Sequence, residues 1–205
     1  MNDYYLLARE SKKEFASASG RTPEAGSREP DAGHWENASE LPFELHLVKL
    51  TVSKDGTAVS DDLKGLTNPW LDFLPNSPEL PLMSNRLKEF ITENLTGEEG
   101  LGWIRAKVNG PGGARNYYIL KFESVPDVLD TESTVYEKNG QIMTPFFSLN
   151  KVHQLGIFHC PGPDSSSKIT SALYVNEMVK RAIQKNRLTG MTFEKVNVTE
   201  QKFLL

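Results

Sequence analysis

Two stretches of this 205-residue chain space their apolar side chains as a helix requires, and both stop on the same letters. The first, about 84–95, runs into Asn94-Leu95-Thr96-Gly97. The second, about 175–186, runs into Asn186-Arg187-Leu188-Thr189-Gly190. A strand-like run ending in Lys-Val comes after each stop, at 103–108 and 191–196. In the first helix Leu87, Phe90, Ile91 and Leu95 form one stripe opposite Arg86, Lys88, Glu89 and Glu93, and Ser84 caps the free N–H groups. In the second, Val175, Met178, Val179, Ala182 and Ile183 oppose Glu177, Lys180, Arg181, Gln184 and Lys185, with Asn176 as the cap. Asn or Gly then accepts the left-handed turn that ends a helix, and Leu tucks back onto the core.

Most of what remains is short and period-two. Residues 3–9 read as a strand, as do 43–52, where Phe43, Leu45 and Leu47 alternate with Glu44, His46 and Val48. Asp55-Gly56 signals a tight turn. The runs around the glycine- and proline-rich 109–114 read as a hairpin, 141–160 as two short strands separated near Asn150, and 191–198 as a closing strand. Four prolines in 68–82 forbid a long helix or a central strand, leaving an irregular segment laid over the core by Trp70, Leu71, Phe73 and Leu74. Residues 11–42, rich in Ser, Ala, Gly, Pro and Glu, are expected as a long irregular N-terminal loop, partly mobile and pinned by Trp35. The fold class expected is α+β: mostly antiparallel strands with two amphipathic helices packed on the sheet, one domain over 1–205.

Charge narrows the partners. With 27 acidic and 23 basic residues the net charge is −4, without the basic excess of a phosphate-tracking protein, so no nucleic-acid partner is expected. The imbalance is local: residues 151–205 hold eight Lys/Arg against four Asp/Glu, net +4, whereas 1–150 hold 15 against 23, net −8. An acidic face of this kind steers a basic partner or is simply solvated. Cys160 is the one cysteine, which fits a reducing compartment. The N-terminal run lacks the features of a signal peptide, and no apolar stretch approaches the length of a membrane span, so a cytoplasmic location away from membranes is expected.

Catalytic constellations are hard to assemble. His159 adjoins Cys160, yet neighbours on a strand point to opposite faces, so a thiolate–imidazole pair is disfavoured and Cys160 reads as a small buried thiol. The remaining histidines, His34, His46 and His153, find no partners at metal-ligand spacing. Asp127, Asp130 and Glu132 lack the spacing and glycine of a calcium loop. The glycines of 109–115 precede no helix that would aim N–H groups at a phosphate. Tyr117, Tyr118 and Phe122 have too few basic neighbours for a base-stacking platform. No catalytic, cofactor-binding or metal-binding residue is assigned, and no cofactor is expected.

Residues 156–196 resemble the C-terminal signature of immunity protein family eleven, a bacterial family. The pattern is a strand ending in Ile-Phe (Ile157, Phe158), a hydrophobic residue and a polar cap opening a helix (Val175, Asn176), then Leu188-Thr189-Gly190 and Phe193. Asn176 stands where the family more often has Ser; both cap helices. Residues 80–91 resemble the family's first helix and 117–136 its middle strand with an Asp-rich turn, so the resembling core covers about 43–200. The resemblance implies an immunity protein of a polymorphic toxin system, which binds the cognate toxin domain encoded beside it and blocks it sterically. It implies a structural role for Val175, Asn176, Leu188, Thr189, Gly190 and Phe193, and leaves the toxin's activity open. Two other readings stand beside it: a scaffold of a secretion or phage-derived particle, forming a homo-oligomer through exposed edge strands, and an enzyme using Cys160, His159 and Asp127. For a binding protein, the acidic turns holding Asp61 and Asp62, Glu98 and Glu99, and Asp127 and Asp130 are the expected partner-facing surface, since rim charge speeds association and selects partners.

Overall fold

A computed structural model of the chain describes residues 3–10, 12–20, 37–161, 168–170 and 172–199. The architecture is α+β, with most strand pairs antiparallel. The chain opens with β1 (Tyr4–Arg9). A six-stranded sheet comes next, made of β2 (Glu14–Ser19), β3 (Leu45–Ser53), β4 (Gly56–Ser60), β5 (Leu82–Ser84), β6 (Leu101–Gly110) and β7 (Gly113–Phe122). Its order is β2-β3-β6-β7-β5, and β4 pairs with β3. The β3–β6 contact is parallel and short, Leu45 to Val108 and His46 to Asn109.

This sheet curls into a half-barrel, and the proline-broken segment links its two edges. Along 72–77, the Leu74 N–H donates to Leu82 O (2.9 Å) and the Ser84 N–H to Asp72 O (2.7 Å) on the β5 side. On the β2 side the Ala18 N–H donates to Pro75 O (2.8 Å) and the Ser77 N–H to Ala18 O (2.9 Å). Pro75 serves through its carbonyl, so its missing N–H costs nothing. The Asn76 side chain fixes the bend by bonding Leu74 O, Leu80 O and the Leu80 N–H.

The second sheet has the order β11 (Ile157–His159), β12 (Leu173–Asn176), β1, β13 (Met191–Lys195), all antiparallel. Two small pairs complete the strands: β8 (Val135–Tyr136) with β9 (Ile142–Thr144), and β10 (Phe147–Ser148) with β14 (Val198–Thr199). The helices are α1 (Asn85–Glu93), a one-turn α2 (Leu149–Val152) and α3 (Glu177–Lys185).

Strand alternation sorts the core into layers. Ile104, Ala106, Tyr117 and Ile119 face the half-barrel interior with Leu45, Leu47 and Leu82. The other face of the β6–β7 hairpin gives Leu120 and Phe122 to a layer shared with Leu87 and Ile91 of α1, Val179 and Ile183 of α3, and Tyr5, Leu7 and Val175 of the second sheet. That sheet's far face sends Tyr4, Phe158 and Tyr174 onto Phe147 and Val152, with Phe147 and Tyr174 edge-to-face at 4.6 Å.

Three elements differ from the sequence reading. Residues 14–19, expected within the N-terminal loop, form β2; Ala16 and Ala18 are buried, but their small side chains give no period-two signal. Residues 21–36, including His34 and Trp35, lie outside the described residues. The second helix begins after Asn176, so Val175 is a buried strand residue, and Met178 sits on the solvent side of the Val179–Ile183 stripe. Near Asn150 the chain forms α2 in place of a simple strand break. Both expected caps are present: Ser84 Oγ accepts from the Leu87 N–H (3.1 Å) and Asn176 Oδ1 from the Val179 N–H (2.9 Å).

Candidate functional site

The second Leu-Thr-Gly stop lies where both sheets and both longer helices converge. Asp72, 7% exposed, is its centre. Its Oδ2 accepts from the Thr189 N–H (2.9 Å) and the Thr189 hydroxyl (3.1 Å), and its Oδ1 from the Ser84 hydroxyl (2.8 Å). The Asp72 N–H is within 3.2 Å of Thr189 Oγ1, and the Phe73 N–H donates to Thr189 O at 2.9 Å. Arg86 reaches Asp72 at 3.6 Å and also donates to Asn186 O at the end of α3. Arg187 (φ +53), not Asn186 (φ −83), is left-handed directly after the helix, and the glycine of the stop, Gly190, is left-handed as expected. Gly190 (φ +92) passes so close to the Phe73 carbonyl that an added Cβ would overlap its oxygen and meet Leu71 Cβ at 3.0 Å.

The first stop is clasped by an acid of its own. Glu99 is 8% exposed. Its carboxylate accepts from the Thr96 N–H (3.1 Å), the Thr96 hydroxyl (3.0 Å), the Gly97 N–H (3.0 Å) and, across the core, the Gly156 N–H (2.8 Å). Burial is the largest single influence on this carboxyl and pushes its pKa up. The hydrogen bonds from Gly156, Thr96 and the Glu99 backbone together outweigh burial, and the net pKa lies below the ordinary glutamate value.

The signature residues are thus architectural in position. Leu188 is buried, Phe193 packs against the shared core layer, and Leu188, Thr189 and Gly190 line a cleft of about 520 Å³. On that cleft Lys12 pairs with Glu10 at 3.0 Å and the Arg9 guanidinium lies over the Phe15 ring at 4.8 Å.

The six acidic residues separate. Asp61, Asp62 and Glu98 are exposed. Asp127 is exposed and pairs with Lys151 at 2.8 Å. Glu99 is enclosed, so its carboxylate cannot face a partner. Asp130 is occupied by the Glu132 and Ser133 N–H groups and the Ser133 and Thr199 hydroxyls. Asp61 and Asp62 border a cleft of about 550 Å³ at the point where β6 leaves β3 and β4 joins it, with Leu47, Lys64 and Gly110 also on its wall.

His159 and Cys160 do not form a reacting pair. His159 is 1% exposed and lies 4.4 Å from the Phe122 ring. Its Nδ1 faces Cys160 O at 3.1 Å; a carbonyl only accepts, so Nδ1 carries the proton and Nε2, unpartnered, holds the lone pair. Burial lowers the imidazole pKa and raises the thiol to about 11. Among the described residues no three His, Cys, Asp or Glu side chains are grouped to hold a metal ion, and no helix is long and apolar enough to cross a membrane.

Asp55-Gly56 is legible as a turn, but the strand after it, β4, carries no sequence signal of its own. All five residues of β4 are exposed, and Val52 and Val59 are 42% and 63% exposed. Asp72 also gave no signal, because its partners lie far away in sequence. Compared with known proteins, the chain matches no family model and no curated sequence.

Proposed function

We propose that this chain is an immunity protein that binds a cognate bacterial toxin domain and neutralises it by covering it. The observation that carries the reading is the surface from β4 into the Asp61–Asp62 turn: an uncovered strand, an exposed apolar pair and two exposed carboxylates bordering a cleft. Such a surface offers a partner both apolar contact and charged rim contacts. The resemblance of 156–196 to immunity protein family eleven supplies the biological setting. Its motif residues support that reading by building the inter-sheet corner, which frees the outer strands to vary with the partner.

The test is co-expression with the toxin domain encoded beside this gene. Wild type is expected to protect cells and to co-purify with the toxin one-to-one. Protection is also expected to survive alanine at Cys160, His159 and Asp127 wherever the variants fold. Absence of protection would refute the immunity reading, and its loss in folded Cys160→Ala would favour an enzyme.

A scaffold that joins copies of itself is the second reading; it would use the same uncovered strand, and the aspartates flanking β4 weigh against it.

A further inference from the structure

Resting on the binding reading above, we infer that β4 is an open docking edge that takes an extended, basic segment of the partner as an added antiparallel strand. The parity of the hairpin decides which atoms are on offer. The Val52 N–H donates to Lys13 O on the β2 side of β3 (2.8 Å), so it points away from β4. Val52 pairs with Thr57, which makes that pair non-hydrogen-bonded; Leu50 and Val59, two steps along, share its parity. The N–H and C=O of Thr57 and Val59 therefore point outward, and among the described residues they have no partner.

Edges are normally blunted by Lys, Pro, a bulge or a covering element. Gly56-Thr57-Ala58-Val59-Ser60 has no Lys or Pro, pairs with β3 without a register shift, and is exposed at every position. Leu50, Val52, Thr57 and Val59 share one face, so a docked strand would also meet an apolar patch.

Charge selects the occupant. Asp55 lies just before the strand and Asp61 just after it. Neither carboxylate has a partner among the described residues, whereas Asp62 accepts from the Lys64 N–H at 3.0 Å and meets the Lys64 ammonium only at 4.0 Å on an open surface. A second copy is disfavoured: the register that uses both outward residues of each molecule sets Thr57 against Val59, and so Asp55 against Asp61, two like charges directly opposed. A strand carrying Lys or Arg at those positions turns the same geometry into attraction. The lone cation on the turn, Lys54, leaves the rim net acidic.

The probe is a nine-residue peptide alternating Thr and Val, with two Lys at each end, followed by amide chemical shifts of the whole protein. Saturable shifts centred on Thr57 and Val59 are expected, weakening with salt. A peptide with Glu in place of Lys should not produce them. Thr57→Pro removes an outward N–H while sparing every bond to β3 and should weaken binding about tenfold. Val59→Lys, which keeps the backbone intact, should do the same if proline disturbs the hairpin. No shifts at β4 at millimolar peptide would overturn the proposal. Shifts that grow with protein concentration alone would overturn the basic partner in favour of a second copy. Toxin binding that is unchanged in both variants would overturn β4 as the toxin's edge and leave the immunity reading standing; peptide binding without any toxin binding would do the reverse.

Discussion

The two Leu-Thr-Gly corners end helices of equal length with the same residues, yet they are built at different reach. At the first, Thr96 and Gly97 are held by Glu99, three residues or fewer away, and the one long-range bond is to Gly156. At the second, Thr189 is held by Asp72, 117 positions away, and Asp72 also gathers Ser84 and Arg86 from the start of α1. The same stopping sequence serves a local turn in one place and fastens the two sheets together in the other. A repeated motif therefore reports how a helix ends; what the corner does is decided by the acid that comes to it.

The sharpest contrast is expected at the glycines. Gly190→Val meets both a left-handed backbone and the Phe73 carbonyl, and should destabilise the protein by about 4 kcal/mol in chemical denaturation. Gly97→Ala meets only the backbone term, since nothing lies within 4 Å of the added carbon, and should cost about 1–2 kcal/mol. Next comes the pair of acids. Asp72→Ala strips the Thr189 N–H and Ser84 of their acceptor and should cost about 3 kcal/mol. Glu99→Ala leaves the buried Gly156 N–H unpaired and should cost about 2 kcal/mol. A larger loss at Glu99 than at Asp72 would break the comparison.

A smaller, pH-dependent effect isolates the first corner. Glu99 has a folded pKa below the unfolded value near 4.5, so the unfolded chain binds more protons between the two. The stability this gives is present above pH 4.5 and is lost as pH falls through the folded value. Glu99→Gln should therefore flatten the acid limb of stability relative to wild type. Glu177, drawn down to about 2 first by Tyr5 and then by Arg181, contributes the same limb to both proteins and cancels in the difference. The smallest effect is expected at the rim: Asp61→Asn should change stability by less than about 0.5 kcal/mol while slowing association with the proposed toxin partner at low salt.

Much of this was legible in sequence because it is local. Ser84 and Asn176 announce their helices, and the stripe through Leu87 and Ile91 names the buried face. The proline segment was legible as irregular, but not as the link between β2 and β5, since that depends on carbonyls whose partners come from elsewhere in the chain. β2 was hidden by small residues. Glu98 and Glu99 are the same letter twice; only the fold turns one outward and aims the other at Gly156. The candidate docking edge is legible as a turn, Asp55-Gly56, but its openness depends on β6 leaving β3 after His46.

Under the proposed function, labour is divided between two regions: the second corner builds, and the β4 edge is where a partner would bind. Amide hydrogen exchange, with and without the proposed toxin partner, tests that division most directly. New protection is predicted at Thr57 and Val59 in the complex, with Thr189 and Phe73 already slow and unchanged. New protection at Thr189 and Phe73 with none at β4, or no change anywhere, would contradict it.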